Sequence, residues 1–360
     1  TIVVALVCIA FFQTRTTMTN APHSEYVLNE IWAPASGNNP YQTFIPQYTF
    51  LIGWLVKPIL VTLGPVGGSD FLVLMMTVFA FICTFLMVYM SKKAFPELSW
   101  LIVIIAVLPF CTPSSGWNRI SFVGPATTIL SGPSLRIFGG MIVGSLIVWS
   151  LNKQITVKKY RFPLFLTGFV SALVVWNNLD FGLAATVAMF LVAGVVTFAI
   201  KNIRKDSLPY LILGSVTGNV AVYFFLLGQK GVPNWSYFGW FMRSFAGGFG
   251  SVTIEMPGPV NLDFPLIMGT ASFGIYYLIS RYKKSSENEG EDAQIVLNLR
   301  SALTAAYFGT FSTFGLPYYI NRSYHSGQMS ILYFPLAIAL IAILGLLWRT
   351  KNLARKSIST

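Results

Sequence analysis

Two kinds of side chain in this sequence could carry chemistry together: fixed cations suited to a phosphate, and carboxylates suited to taking a proton. The stretch LPYYINRSYHSGQMS, residues 316–330, lies between two apolar runs and holds Asn321, Arg322, Tyr324 and His325. A guanidinium meets phosphate oxygens two at a time, and a neighbouring imidazole can donate a second bond or carry a proton. Arg136 opens another apolar run and is followed by Gly139 and Gly140, which allow close helix approach. For both arginines the alternative is an ordinary contact with lipid headgroups at a membrane surface. The segment QTRTTMTNAPHSEYVLNEIWAPASGNNPYQTFIPQYTF carries His23, Glu25 and Glu30. Either carboxylate could deprotonate an acceptor hydroxyl, the more effectively if burial lifts its pKa, or could be a solvated loop acid.

Two further constellations could position a polar substrate. In VVWNNLDFGLAA, Asn177, Asn178 and Asp180 interrupt an otherwise apolar run. They mark a polar site near membrane depth, or they are the cap and turn residues expected between two helices. The long loop 228–263 holds Trp235, Tyr237, Trp240 and Arg243, then AGGFG, then Glu255 and Asp263. Its flat aromatic faces suit sugar rings, and the glycines at 247, 248 and 250 would let it move as a lid. An interfacial helix with Trp and Tyr at headgroup level accounts for the same residues.

The elements that must hold these groups are read from composition. The 360 residues are 54% hydrophobic and only 10% charged, against roughly 25% charged in a soluble domain. The apolar runs are continuous, not alternating, which predicts an all-α, polytopic bundle of about eleven transmembrane spans. They fall near residues 1–13, 45–64, 71–91, 100–111, 136–151, 162–177, 181–200, 208–228, 264–280, 301–317 and 331–348 in one transmembrane domain, 1–360. The first run starts apolar with no charged leader and reads as the surviving part of a longer span. Cys8, Cys83 and Cys111 lie in or beside apolar runs without metal-ligand spacing and read as packing residues.

The formal charge of +12 reports orientation and not nucleic-acid binding, because most cations cluster in short connectors. Lys92 and Lys93, Lys153 to Arg161, Lys201 to Lys205, Arg281 to Arg300 and Arg349 to Lys356 recur after every second span, as the positive-inside rule produces. This predicts a multi-pass protein of the plasma membrane, its C-terminus cytoplasmic and its long polar loops outside. The connector SSENEGEDAQ reads as a solvated cytoplasmic loop. The first third conflicts with the scheme, since two full crossings by 45–64 and 71–91 would place Lys92 outside. Either one of those segments inserts incompletely, or loop 112–135 hides an extra short crossing.

A long first outer loop with Glu25 and Glu30, the re-entry Ile45-Pro46-Gln47-Tyr48-Thr49, plain cytoplasmic turns and a late outer loop with Arg322 and His325 are together similar to the GT-C-type membrane glycosyltransferases. The resemblance implies transfer of a sugar from a polyprenyl-phosphate donor to a glycan or lipid acceptor of the cell envelope at the outer membrane face. It implies that Arg322, Arg136 and His325 hold the lipid phosphate, that Glu25 or Glu30 is the base, and that Asn177, Asn178, Asp180, Trp235 and Trp240 position sugar. A divalent cation is compatible with this chemistry, but no ligand set requires one. The family places its acid close after the first span, whereas here QTRTTMTN intervenes and no acidic pair of the DD or DE kind is present. Two rival classes are a lipid or small-molecule transporter, which calls for a polar path reaching both faces, and a non-catalytic membrane subunit of an envelope complex.

Overall fold

The computed structural model describes residues 28–40, 42–43, 50–111, 133–157, 161–199, 207–240, 243, 263–282, 293–320 and 326–359. The architecture is all-α. The longer helices are α1 (Phe50–Ala94), α2 (Trp100–Cys111), α3 (Pro133–Val157), α4 (Arg161–Asn177), α5 (Leu179–Ala199), α6 (Ser207–Gly228), α7 (Asp263–Tyr282), α8 (Ala293–Ile320) and α9 (Ser326–Ser359). Short helical turns cover residues 28–32 and 235–240. By length and composition, α1, α6, Leu179–Phe198 of α5 and Leu332–Lys351 of α9 are candidate membrane spans among the described residues. Four qualify of the eleven expected; α4 and residues 265–280 of α7 are apolar but shorter, and residues 1–13 lie outside the described residues.

α8 is the axis of the bundle. Every residue from Ser301 to Ser312 is buried, as expected of a helix that is apolar all round and surrounded by others. Tyr307 is fully buried, and its hydroxyl donates to the Gly140 carbonyl of α3 at 3.0 Å. By contrast, α6 turns Ile212, Leu213, Val216, Val220, Phe224 and Leu227 outward. A soluble monomer rarely exposes so continuous an apolar strip, and lipid would cover it.

Helix pairing depends on small residues. α4 and α6 run parallel with their backbones almost in contact: a Cβ on Gly168 would stand 2.1 Å from the Leu211 carbonyl oxygen, and one on Gly214 2.0 Å from that of Phe165. Gly218, four residues on, faces the Phe169 carbonyl at 2.7 Å. The GSVTG sequence is thus a small-xxx-small seam, which substitutes van der Waals contact for a hydrophobic driving force that is absent between helices in lipid. Ser171 and Ser215 add a hydroxyl contact of 3.2 Å across it. α7 and α8 use the same device where Gly274 meets Ala306 and Gly309 meets Ala271.

The 45-residue α1 is two helices folded on each other. Gly64 has φ 67° and ψ −176°, a conformation that favours glycine, and Pro65 restarts the helix with a preset φ and no amide hydrogen to satisfy. A Cβ on Gly68 would lie 3.3 Å from Leu60 Cδ2, although eight residues of continuous helix would separate them by about 12 Å. Val56 and Leu60 accordingly share a core cluster with Leu72 and Met76. Phe50 stacks on Trp176 at the end of α4, with ring centroids 6.0 Å apart, while Phe79 stacks on Phe138 near the start of α3 at 4.3 Å. Only Ala94, at the end of the second arm, reaches the opposite end of the bundle. The two arms therefore cross the bundle once, and the described first arm, 50–63, is about 21 Å long against a hydrocarbon core of ~30 Å. Such a hairpin fits the first of the two alternatives for the first third, incomplete insertion of 45–64; most of loop 112–135, which carries the second, lies outside the described residues.

At the end reached by Ala94, cations gather. Lys92 Nζ donates to the Pro96 carbonyl at 2.6 Å, and Arg161 lies 5.5 Å from the Tyr210 ring centre. Arg349, 4% exposed, donates to Asn298 Oδ1 at 2.7 Å, to the Glu97 carboxylate at 3.0 and 3.2 Å and to the Ala94 carbonyl at 3.2 Å. Ser301 donates to the same carbonyl at 2.6 Å. One guanidinium thereby ties the ends of α1, α8 and α9 together.

Two predictions follow from these contacts. Gly214→Val should cost about 3 kcal/mol or abolish folding, whereas Gly194→Ala, whose Cβ would meet nothing within 4 Å, should be neutral or stabilising by up to ~1 kcal/mol. Thermal unfolding in detergent micelles compares them. In the same assay Arg349→Met should cost about 2–3 kcal/mol through several lost charge-assisted bonds, and Glu97→Gln only about 1 kcal/mol.

Candidate functional site

The end opposite the cations is where the polar residues singled out in the sequence converge. α4 stops at Asn177 and α5 starts at Leu179, so one residue, Asn178, makes the connection. Asn178 Oδ1 accepts the amide of Phe181 at 3.1 Å, which is the N-cap bond expected of Asn before a helix. Its carbonyl accepts the amide of Gly182 at 2.8 Å, the first bond of α5. A side chain at Gly182 would collide with the Val174–Val175 backbone at 2.5–2.6 Å, so glycine permits the tight reversal. Asp180, exposed in the first turn of α5, lies where a negative charge complements the helix dipole. Asn177 reaches sideways instead: its Oδ1 accepts the Ile52 amide at 3.1 Å and fixes the first arm of α1 to the end of α4. The Asn-Asn-Leu-Asp run thus serves the turn, and its Asn177 also joins two elements.

Around this turn the other elements close in. Trp176 donates its indole N–H to Asn219 Oδ1 of α6 at 2.9 Å, and Trp235 meets the Trp176 ring edge-on at 6.1 Å. Trp240 stacks on Tyr237 at 5.9 Å, and both Trp235 and Trp240 are more than half exposed. Asn234 caps the 235–240 turn through the Tyr237 amide at 3.1 Å. The segment 28–43 is tied to the same place, since Asn39 Nδ2 donates to the Lys230 carbonyl at 3.2 Å and Gln42 Nε2 to that of Val232.

Two ionisable groups are buried here. Glu30, 7% exposed, lies in the 28–32 turn, whose Ile31 carbonyl approaches the Gly53 Cβ position at 2.9 Å, one residue from the Ile52–Asn177 bond. Arg136, 6% exposed, sits one turn before Gly139, which packs against Val174 and so beside the Asn178 reversal. The structure thus brings Glu30, Arg136, Asn177, Asn178, Asp180, Trp235 and Trp240 to one end of the bundle. Glu25, Arg322 and His325 lie outside the described residues; α8 and α9, which bracket the last two, approach the same end, with Phe311 at 6.4 Å from Phe181.

Sequence reasoning passed over Phe50, Trp54, Lys57, Trp176 and Asn219. Lys57 had a signal, as the lone cation in FLIGWLVKPILV; the others are ordinary residues of apolar runs. Among the described residues no group of three or more His, Cys, Asp and Glu could hold a metal ion. No protein-family model, curated protein or solved structure matches the chain.

The cap makes a prediction. Asn178→Ala should destabilise the protein by about 1 kcal/mol, and Asn178→Ser should recover most of it, because serine caps nearly as well. Melting of the purified variants in detergent would show the pair of effects.

Proposed function

We propose that the chain is a multi-pass membrane glycosyltransferase, embedded with its cation-rich end and C-terminus in the cytoplasm and its site facing outward in a plasma membrane. The observation that carries this reading is the burial of an acid, Glu30, and a guanidinium, Arg136, at the same end of an apolar bundle, opposite the basic connectors. Burying either charge costs several kcal/mol, and inside a membrane protein such groups mark a site by default. Arg136, with Arg322 and His325 from the last outer loop, would bind the phosphate of a polyprenyl-phosphate sugar. Glu30 or Glu25 would take the proton of the acceptor hydroxyl as its oxygen bonds to the anomeric carbon. The bond from that carbon to the phosphate oxygen breaks, and the cations stabilise the charge left on the lipid phosphate. Trp235, Trp240 and the Asn177 to Asp180 turn would hold the sugar.

This is preferred over lipid or small-molecule transport because α8, the central helix, is apolar from Ala302 to Phe311 except for Thr304, Tyr307 and Thr310. A transport path reaching both faces needs more polar lining than that.

Purified protein incubated with polyprenyl-phosphate sugars and a glycan or lipid acceptor tests the assignment. Arg136→Gln should lower turnover by about 10²–10³-fold and Glu30→Gln by about 10²–10⁴-fold in protein that still melts cooperatively. Equal turnover in wild type and both variants would remove these residues from the site. Absence of turnover with every donor would remove the enzyme reading.

A further inference from the structure

A second cationic feature lies at the same end, and the transferase chemistry does not use it. Lys57 Nζ stands 5.2 Å from the centre of the Trp54 ring. The edge of that indole is covered by Gly231, whose Cβ would meet it at 2.4 Å, and Lys230, exposed, precedes it in the chain. Lys230 adopts a left-handed conformation, φ 54°, and its carbonyl accepts from Asn39 at 3.2 Å and Gln42 at 3.4 Å. The turn that presents its side chain is therefore built. Arg243, exposed, follows the Tyr237–Trp240 stack and donates Nε to the Gly239 carbonyl at 3.2 Å. Among the described residues no carboxylate pairs with Lys57, Lys230 or Arg243. Trp54 is 2% exposed, and its indole N–H meets no acceptor among the described residues.

We propose that Lys57, Lys230 and Arg243, beside the Tyr237 ring, form a headgroup site for an anionic phospholipid in the leaflet opposite the basic connectors. Three cations on the face where the positive-inside rule disfavours them require a negative partner, and none of the described residues supplies it. The site lies just beyond Gly228, where α6, a candidate span, ends, which puts Trp240 at headgroup level and the exposed apolar strip of α6 against acyl chains. A phosphodiester oxygen accepts from lysine and guanidinium alike, and the Tyr237 ring suits the glycerol region. The inference rests on the membrane reading and is independent of the transferase.

Tryptophan quenching by brominated lipids tests it. The protein is reconstituted in vesicles of phosphatidylcholine containing brominated phosphatidylcholine or brominated phosphatidylglycerol. The share of emission from the turn is the difference between wild type and a Trp235→Phe, Trp240→Phe variant. The phosphatidylglycerol should quench that share preferentially, by about fivefold in relative association for each cation engaged at low ionic strength, with the preference falling as salt is raised. The combined Lys57→Gln, Lys230→Gln, Arg243→Gln variant should quench equally with both lipids. The wild-type salt titration stands even if that variant fails to fold. Equal quenching of wild type by the two lipids would overturn the headgroup site, as would a preference that survives in the triple variant. No quenching by either lipid would overturn the membrane placement as well.

Discussion

Contact between helix backbones at glycine is the constraint on which the rest of this structure depends. In water an apolar helix face is driven against its neighbour by solvent, but acyl chains solvate such a face as well as another helix does, so proximity itself must supply the attraction. The α4–α6 seam shows how far that goes: at Gly168 and Gly214 there is no room for even a methyl group before the partner's carbonyl oxygen is reached. Once those backbones touch, the ends of α4 and α6 are fixed, and with them the positions of Trp176, Asn219 and the 235–240 turn.

The two ends of the bundle then solve the problem of polar groups differently. At the basic end, Arg349 is fully engaged by Glu97, Asn298 and backbone oxygen, so the charge is consumed in joining helices. At the opposite end the Oδ1 atoms of Asn177 and Asn178 accept from backbone amides, while Trp235, Trp240, Lys230 and Arg243 are exposed. A closed network at one end and an open polar surface at the other is the asymmetry from which a functional reading starts.

Much of this was legible in the sequence. Continuous apolar runs between basic connectors located α4 to α6 to within a few residues, because an unbroken apolar stretch of that length, bounded by charged residues, has few ways to fold other than as a helix. The Asn178 cap was readable as one of two alternatives, since Asn and Asp before a helix have a local cause. The fold-back of α1 was only half legible. LGPVGGSD marked the break at Gly64, although the second arm starts at Pro65 and not at the expected 71; whether the arms cross separately or as a hairpin depends on Leu60 meeting Gly68 and Phe79 meeting Phe138, which no local pattern encodes. The burial of Glu30 and Arg136 was equally hidden, because it is set by packing among the 28–32 turn, α1, α3 and α4. The phosphate grip expected of Arg322 and His325 falls outside the described residues.

The parallel pairing of α4 with α6 also bears on how such a chain would be assembled. A helix emerges into the bilayer in the order of synthesis, so α4 is complete before its seam partner exists. α5, which runs the other way and is joined to α4 by Asn178 alone, must enter first and closely behind it. In such an order Gly168 would wait for Leu211 and Ser215 of α6, whose backbone atoms its Cβ would meet, while α4 and α5 stood as a hairpin. The most intimate contact in the bundle is thus one of delayed completion, and a substitution there would leave its mark on newly made protein before it affected the finished fold.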